Sequence, residues 1–197
     1  MNSVRSGPEP GIRSEILTWR APDADRMEST RIQLSGKKIK AYGRIVAAAT
    51  DKHPAFSAYY DLQTDETGAA KRIGLQVTAA ARERQLSIAR DEENMWMVSS
   101  NQGESRSAFD GALDVDMVLS PFFNALPIRR LDLHQRSETV TVPVIYVSLP
   151  EMELNARTVS YRSTDTGIAV QSPVSDTTVT VDDAGFIVSY PGLAERI

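Results

Sequence analysis

The segment LDVDMVLSPFFNALPIRRLDL, residues 113–133, combines a long apolar run with aspartates, two prolines and a pair of adjacent arginines. Core strands rarely carry several charges, and surface loops rarely carry so many large apolar side chains. We therefore expect this segment to lie between two environments, with its apolar side chains in the core and its charged side chains against polar partners.

The first part of the segment has the period of a strand. Within residues 109–119, FDGALDVDMVL, the apolar residues Leu113, Val115 and Met117 alternate with Asp114 and Asp116. Successive side chains of a strand point to opposite faces of the sheet. The two aspartates are therefore expected to point the same way.

A short helix is predicted directly after this strand. Ser120 is a candidate N-cap, and Pro121 suits the first helical position because its missing N–H is not needed there. Pro127 removes a further backbone donor and disfavours the helical conformation of the residue before it. We expect a helix within residues 121–131 that is kinked or restarted at Pro127.

Most of the remaining chain alternates with a period of two, which predicts half-buried strands separated by polar turns. The predicted strands are 27–34, 39–49, 56–62, 72–77, 85–89 and 95–98 before the segment, and 139–148, 152–161, 167–171, 177–181 and 186–190 after it. The stretch VTAAARERQ, residues 77–85, fits either a helix or a continuing strand. In VDDAGF, Gly185 is expected to take the positive φ of a hairpin turn.

Composition narrows the classes of function. The chain of 197 residues has 22 basic and 26 acidic residues and no basic stripe, so we expect no nucleic-acid partner. It has no cysteine, which excludes disulfides and Cys-ligated metal sites, and we expect neither a cofactor nor a metal. No apolar run is long enough for a secretory signal or a membrane span, so we expect a cytoplasmic protein.

The domain organisation is expected to be simple. Residues 1–14 are predicted to form a flexible N-terminal tail, and residues 15–197 a single domain that is large enough to bury its own core.

Two blocks of sequence carry a resemblance to a known family. GALDVDMVLSPFFNALPIRRL, residues 111–131, and VTVDDAGFIVSYPGLAERI, residues 179–197, resemble the bacterial putative glycolipid-binding family. The stretches KKIKAYGRIV and FSAYYDLQTD fit it more weakly, and the resemblance covers roughly residues 16–196. It implies a mainly β fold, in which a long antiparallel sheet curls as a spiral β-roll around one short central helix, and it implies a homodimer.

The resemblance also implies a lipid or glycolipid ligand in the groove between the curled sheet and the central helix. The candidate ligand-binding residues are Asp114, Asp116, Phe122, Phe123, Arg129 and Arg130. The phenylalanines would form an apolar plug, and the arginines are natural partners of the aspartates. These ion pairs are interpreted as a structural latch, with the alternative that one arginine meets an anionic or sugar headgroup.

Catalytic motifs give little support to an enzyme. The chain has no Gly-x-Ser-x-Gly elbow, no phosphate-binding glycine loop and no His-Glu-x-x-His helix, and His53 and His134 are interpreted as turn or surface residues. We expect non-catalytic binding. Two alternatives stay open: a hydrolase acting on a glycolipid-like conjugate through Asp114 or Asp116, and a dimeric structural protein with no ligand.

Overall fold

The computed structural model describes residues 11–197, which form one curled, open sheet of 15 strands. The strands are β1 Arg13–Arg20, β2 Arg26–Ser35, β3 Lys38–Ala47, β4 Phe56–Thr64, β5 Ala70–Ala79, β6 Arg82–Arg90, β7 Trp96–Ser100, β8 Gly103–Ser107, β9 Asp114–Met117, β10 Thr139–Val147, β11 Leu154–Thr164, β12 Gly167–Gln171, β13 Asp176–Val181, β14 Ile187–Tyr190 and β15 Ala194–Arg196. Short 3-10 helices span Phe109–Gly111 and Phe122–Asn124, and one α-helix, α1, spans Ala125–Arg130.

The strand order across the sheet is β8-β7-β6-β5-β4-β3-β2-β1-β15-β14-β13-β12-β11-β10-β9. Strands that are consecutive in the chain pair antiparallel, except that β9 and β10 pair parallel and that β8 and β9 lie at opposite edges of the sheet. Strand β1 also pairs antiparallel with β15. A parallel pair cannot be closed by a hairpin and needs a crossover connection. Residues 118–138 supply that crossover, and α1 lies within it.

The inner face of the curled sheet is apolar and packs around the crossover. Phe122 and Phe123 have no exposed surface and belong to the larger core cluster, whereas Ile128 of α1 belongs to a second cluster against β10 to β14. Rings of Tyr60 and Phe186 stack on Phe122, with centroids 5.8 and 6.3 Å away. The helical segment therefore joins two parts of the core. The side chains of the predicted apolar plug fill the space inside the curled sheet.

The predicted fold class is confirmed: the molecule is mainly β, with one long antiparallel sheet curled about a single short helix. The stretch at residues 77–85 is neither a helix nor one continuing strand: β5 ends at Ala79, the chain reverses in a tight turn, and β6 begins at Arg82, so both alternatives were wrong. Gly185 has a φ of 82°, as the hairpin prediction required. The strands β1, β8 and β15 were missed. Strands β8 and β15 have few residues over which a period can show, and in β1 the exposed Ile16 lies next to the buried Leu17 and breaks the apolar alternation.

The start of the helix differs from the prediction. Ser120 caps no helix, because its hydroxyl donates to Glu28, and α1 begins at Ala125. Pro127 therefore lies in the first turn of α1, where a missing N–H breaks no helical hydrogen bond. The chain changes from 3-10 to α geometry between residues 124 and 125 rather than at the proline.

Strand β1 begins at Arg13, two residues before the predicted domain boundary, and residues 1–10 of the predicted tail lie outside the described residues. Between residues 11 and 197, no helix combines the length and the apolar character that crossing a membrane requires.

Candidate functional site

Asp114 is a buried carboxylate that has a dedicated cation. Its side chain has no exposed surface, and it accepts from Arg130 of α1, with Oδ2 2.6 Å from Nη2 and Oδ1 3.2 Å from Nε. Burial raises the pKa of Asp114, while the Arg130 guanidinium opposes the rise. The predicted pairing of strand and helix therefore holds for these two residues, and the pair ties α1 to β9.

Arg129 contacts neither aspartate. Its guanidinium donates to the carbonyl of Ala184 and lies 4.8 Å from the ring centroid of Phe186, so it holds the β13–β14 hairpin against α1. Burial lowers its pKa. A Cβ on Gly185 would lie 2.9 Å from Cγ of Arg129, so the glycine supplies space as well as its positive φ. The Arg129 guanidinium therefore binds the β13–β14 hairpin and not an aspartate.

Asp116 is also buried, but no cation accompanies it. It is 9% exposed, and none of the ion pairs or side-chain hydrogen bonds among residues 11–197 includes its carboxyl group. Burial raises its pKa to about 7, and the backbone N–H of Met117 acts in the opposite direction. A buried carboxyl group without a cation is costly to ionise, so its surroundings indicate what could satisfy it.

Asp116 forms part of the wall of a cleft of about 270 Å³. The wall is built from the end of β9 and the turn after it, the 3-10 helix before α1, β10, the β12–β13 turn and the β14–β15 turn. The lining residues are Asp116, Met117, Val118, Leu119, Ser120, Asn124, Tyr146, Ser172, Val174, Ser175, Tyr190, Pro191, Gly192 and Leu193. We call this the Asp116 cleft.

Tyr146 contributes a polar group that has no hydrogen-bond partner among residues 11–197. It stands opposite Asp116 in the parallel register of β9 and β10, so both side chains are on one face of the sheet. Its hydroxyl is buried and has no hydrogen-bond partner within the described residues. Burial, and then the charge of Asp116, raise the pKa of Tyr146 to about 12. The cleft thus offers a phenol and a carboxyl group side by side.

Further polar groups surround this pair. Burial raises the pKa of Tyr190, while the hydroxyls of Ser175 and Ser172 lower it, which places these three hydroxyls together. Tyr161 donates to Oδ1 of Asn124 at 3.3 Å. The lining therefore mixes hydroxyl, amide and carboxyl groups, a composition suited to a polar ligand.

The floor of the cleft rests on a buried network around Glu28. Its Oε1 accepts from Tyr60 at 2.5 Å and from Ser120 at 2.7 Å, and the Tyr60 hydroxyl lies 2.6 Å from that of Thr30. Burial raises the pKa of Glu28 to about 7, and these donors oppose the rise. A Cβ on Gly43 would lie 2.0 Å from Tyr60 Cζ, so only glycine lets the ring cross β3 at this point.

The turn after β9 brings the lining residues to the cleft. Leu119 has a φ of 70°, in the left-handed region that a bulky side chain seldom adopts, and this conformation turns the chain towards Ser120. Such backbone strain costs about 1–3 kcal/mol and persists where surrounding contacts enforce it. The hydrogen bond between Ser120 and Glu28 is one such contact.

Comparison with known proteins bears on the identity of this chain. The model of a family described as "Putative glycolipid-binding" matches residues 16–196. The chain belongs to this family. The fold is similar to the crystal structure of a DUF1089 family protein from Pseudomonas aeruginosa, with 23% identity, a TM-score of 0.71 and complete coverage of both chains. No curated protein matches the chain.

In this member of the glycolipid-binding family, the six predicted site residues separate into three groups. Asp116 reaches the cleft; Asp114, Arg129 and Arg130 hold the crossover in place; and Phe122 and Phe123 are core. The sequence reasoning did not single out Tyr146 and Tyr190 among the strand aromatics that could contact a ligand, and it missed the two serines. Their strands were predicted, but only the register of β10 against β9 shows that Tyr146 stands beside Asp116.

Two wider depressions, of about 1140 and 970 Å³, lie elsewhere on this family member. The first is bordered by the β1–β2, β3–β4 and β5–β6 turns, and the second by β6 to β8 and the turn before β11. Neither is lined by a buried polar side-chain atom without a partner among the described residues. The chemistry therefore points to the smaller Asp116 cleft.

Proposed function

We propose that this protein binds a lipid or glycolipid without catalysis, and that the polar headgroup occupies the Asp116 cleft. The observation that carries the proposal is the Tyr146 hydroxyl, which is buried without a hydrogen-bond partner, beside the Asp116 carboxyl, which is 9% exposed and has no cation within the described residues. A buried polar atom without a hydrogen bond costs about 1–3 kcal/mol. A ligand that supplies donors and acceptors would recover that free energy.

The size of the cleft supports a headgroup rather than a whole amphiphile. Its volume of about 270 Å³ lies just below the range for small-molecule sites, which is roughly 300–1,000 Å³. The space between sheet and helix is filled by Phe122, Phe123 and Leu126, each with no exposed surface. The ligand is therefore placed at the beginning of the helical segment and not along it.

The apolar part of the ligand is assigned to the rim of the cleft. Val118, Leu119, Val174 and Leu193 line it, and Val174 is 70% exposed. Each methylene that is buried there would contribute about 0.8 kcal/mol. An acyl chain leaving the cleft over these residues would add affinity without entering the core.

No observation favours the hydrolase alternative. Acid/base cleavage of a glycosidic bond needs two carboxyl groups on opposite sides of the bond. Asp116 is the one carboxylate among the described residues that line the cleft, and Asp114 is committed to Arg130.

A homodimer in the cytoplasm belongs to the same proposal. The edge strand β8 is exposed along most of its length, and an open edge can pair with a second copy. The absence of cysteine fits a reducing compartment. Sedimentation at micromolar concentration and fractionation of the host cell test these two points; a monomer contradicts the first and export contradicts the second.

Binding is tested by displacement of a fluorescent lipid probe with dodecyl glucoside and with dodecanol. We expect the glucoside to compete better, and Tyr146→Phe to weaken the glucoside by roughly 2- to 10-fold, the range of one neutral hydrogen bond. The matched control is Tyr59→Phe, on the exposed outer face, and it should change nothing. Absence of any amphiphile binding below about 100 μM, which corresponds to about -5.5 kcal/mol, would contradict the proposal.

A further inference from the structure

We infer that the headgroup carries an ammonium group, as an amino sugar does, and that Asp116 binds this group while the hydroxyls of the cleft bind the sugar hydroxyls. The inference rests on the proposed function and names its ligand class.

The cleft is built around a negative group that the protein leaves without a cation. Besides burial, the charge of Asp116 raises the pKa of phenols on three strands: Tyr146 on β10, Tyr161 on β11 and Tyr190 on β14. Asp114, on the same strand, is neutralised by its own arginine. No lysine, arginine or histidine is among the described residues that line the cleft.

Arginine is available nearby and is used elsewhere. Arg129 is directed to the Ala184 carbonyl and the Phe186 ring, and Arg130 to Asp114. Arg157 on β11 acts electrostatically on Tyr146 but forms no ion pair with Asp116 within residues 11–197. The lack of a cation beside the Asp116 carboxyl group within the described residues therefore does not reflect a shortage of arginines nearby.

An ammonium group matches these surroundings better than a neutral group does. It satisfies a buried carboxylate through charge and hydrogen bonds together, as Arg130 does for Asp114. Phenol rings beside the carboxylate add a favourable environment for a cation. The remaining lining groups, Ser172, Ser175 and Asn124, are hydrogen-bonding groups of the kind that bind sugar hydroxyls.

This arrangement couples binding to pH. Burial raises the pKa of Asp116 to about 7, so near neutral pH the empty site is partly protonated, whereas the ammonium complex requires the carboxylate. Affinity for an ammonium headgroup should therefore rise with pH while the amine stays charged. Affinity for a neutral sugar should not show this rise.

The experiment compares dodecyl glucoside with the corresponding dodecyl glucosaminide, which differs by one amine in place of one hydroxyl, by calorimetry on the full chain. We expect the glucosaminide to bind at least tenfold more tightly at pH 7. Between pH 6 and 7 its affinity should rise about fivefold, because the ionised fraction of a carboxyl with a pKa of about 7 rises by that factor.

The variant Asp116→Asn should lose both the amine preference and the pH dependence, so that it binds the two sugars with similar affinity. Asp183→Asn, an exposed carboxylate in the β13–β14 turn, is the charge-matched control. The pH dependence of the wild type tests the inference independently of whether the variant folds.

Equal affinity for the two sugars, no change in the amine preference between pH 6 and 7, or a preference that Asp116→Asn retains would each overturn the ammonium assignment. Glucoside binding would then still stand and the proposed function with it. Failure of both sugars to bind the wild type would overturn the proposed function itself.

Discussion

Asp114 and Asp116 stand two residues apart on β9, point to the same side of the sheet and are both buried. Asp114 has a guanidinium 2.6 Å away, and Asp116 has no cation within the described residues. The first arrangement fixes the crossover to the sheet. The second leaves a charge to be satisfied from outside, so the same residue type on one strand serves architecture at one position and the candidate ligand site at the other.

The largest effect is expected from breaking the paired member. Arg130→Met leaves the Asp114 carboxylate buried and alone, which should lower the free energy of unfolding by about 3–5 kcal/mol. Urea unfolding measures this loss. In a double-mutant cycle with Asp114→Asn, the double variant should recover part of it, and additive losses would show that the two residues do not act as a pair.

A sharper comparison makes the same substitution at both positions. In the folded protein the pKa of Asp116 is about 7, whereas the pKa of an unfolded aspartate is about 3.9. Between these two pH values the folded state binds more protons than the unfolded state. The contribution of Asp116 to the free energy of unfolding is therefore fully present below the unfolded pKa. It is lost as the pH rises to about 7, by roughly 1 kcal/mol per pH unit.

Asp116→Asn should accordingly raise the free energy of unfolding at pH 8, by roughly 1–3 kcal/mol, and change it little at pH 4. Burial raises the pKa of Asp114 too, but the Arg130 guanidinium opposes the rise, so Asp114→Asn should be less favourable to stability at pH 8 than Asp116→Asn, because Arg130 loses its carboxylate. Urea titrations of both variants at the two pH values measure these differences. An equal or larger gain in Asp114→Asn than in Asp116→Asn at pH 8 would contradict the distinction between them.

The smallest effect concerns the tyrosines around Asp116. Tyr161→Phe removes a hydrogen bond to Asn124 and should cost about 0.5–1.5 kcal/mol. Tyr146→Phe removes a hydroxyl that has no partner and should leave stability unchanged or slightly higher. Thermal unfolding of the two variants distinguishes them, and a clear loss in Tyr146→Phe would mean that its hydroxyl is satisfied within the protein.

Much of the fold could be predicted from the sequence because its elements follow local rules. Strands with a period of two, the turn at Gly185 and the helical segment after Pro121 depend on neighbouring residues only. The pairing of Asp114 with Arg130 also spans only 16 residues. Such features need no knowledge of distant parts of the chain.

The site could be predicted only in part because it depends on distant contacts. Ser120 has the sequence context of an N-cap, but Glu28, 92 residues away, binds its hydroxyl. Arg129 was expected beside the aspartates, but the Ala184 carbonyl, 55 residues away, takes its guanidinium. The position of Glu28 on the inward face of β2, in phase with Thr30 and Ile32, was the one local signal of a buried carboxyl group.

The strand order has a consequence for how the chain could be connected. β1 and β15 are neighbours in the middle of the sheet and share only two paired positions, whereas the two edges, β8 and β9, are consecutive along the chain. From the β9 edge, the strands are arranged across the sheet from β9 to β15 and then from β1 to β8. This is the chain order of a protein in which β15 is joined to β1. A circular permutant that is opened between residues 107 and 114, with a linker from β15 to β1, would place every strand beside its neighbour in the chain. Its contact order would be lower, so it should refold faster than the natural connection.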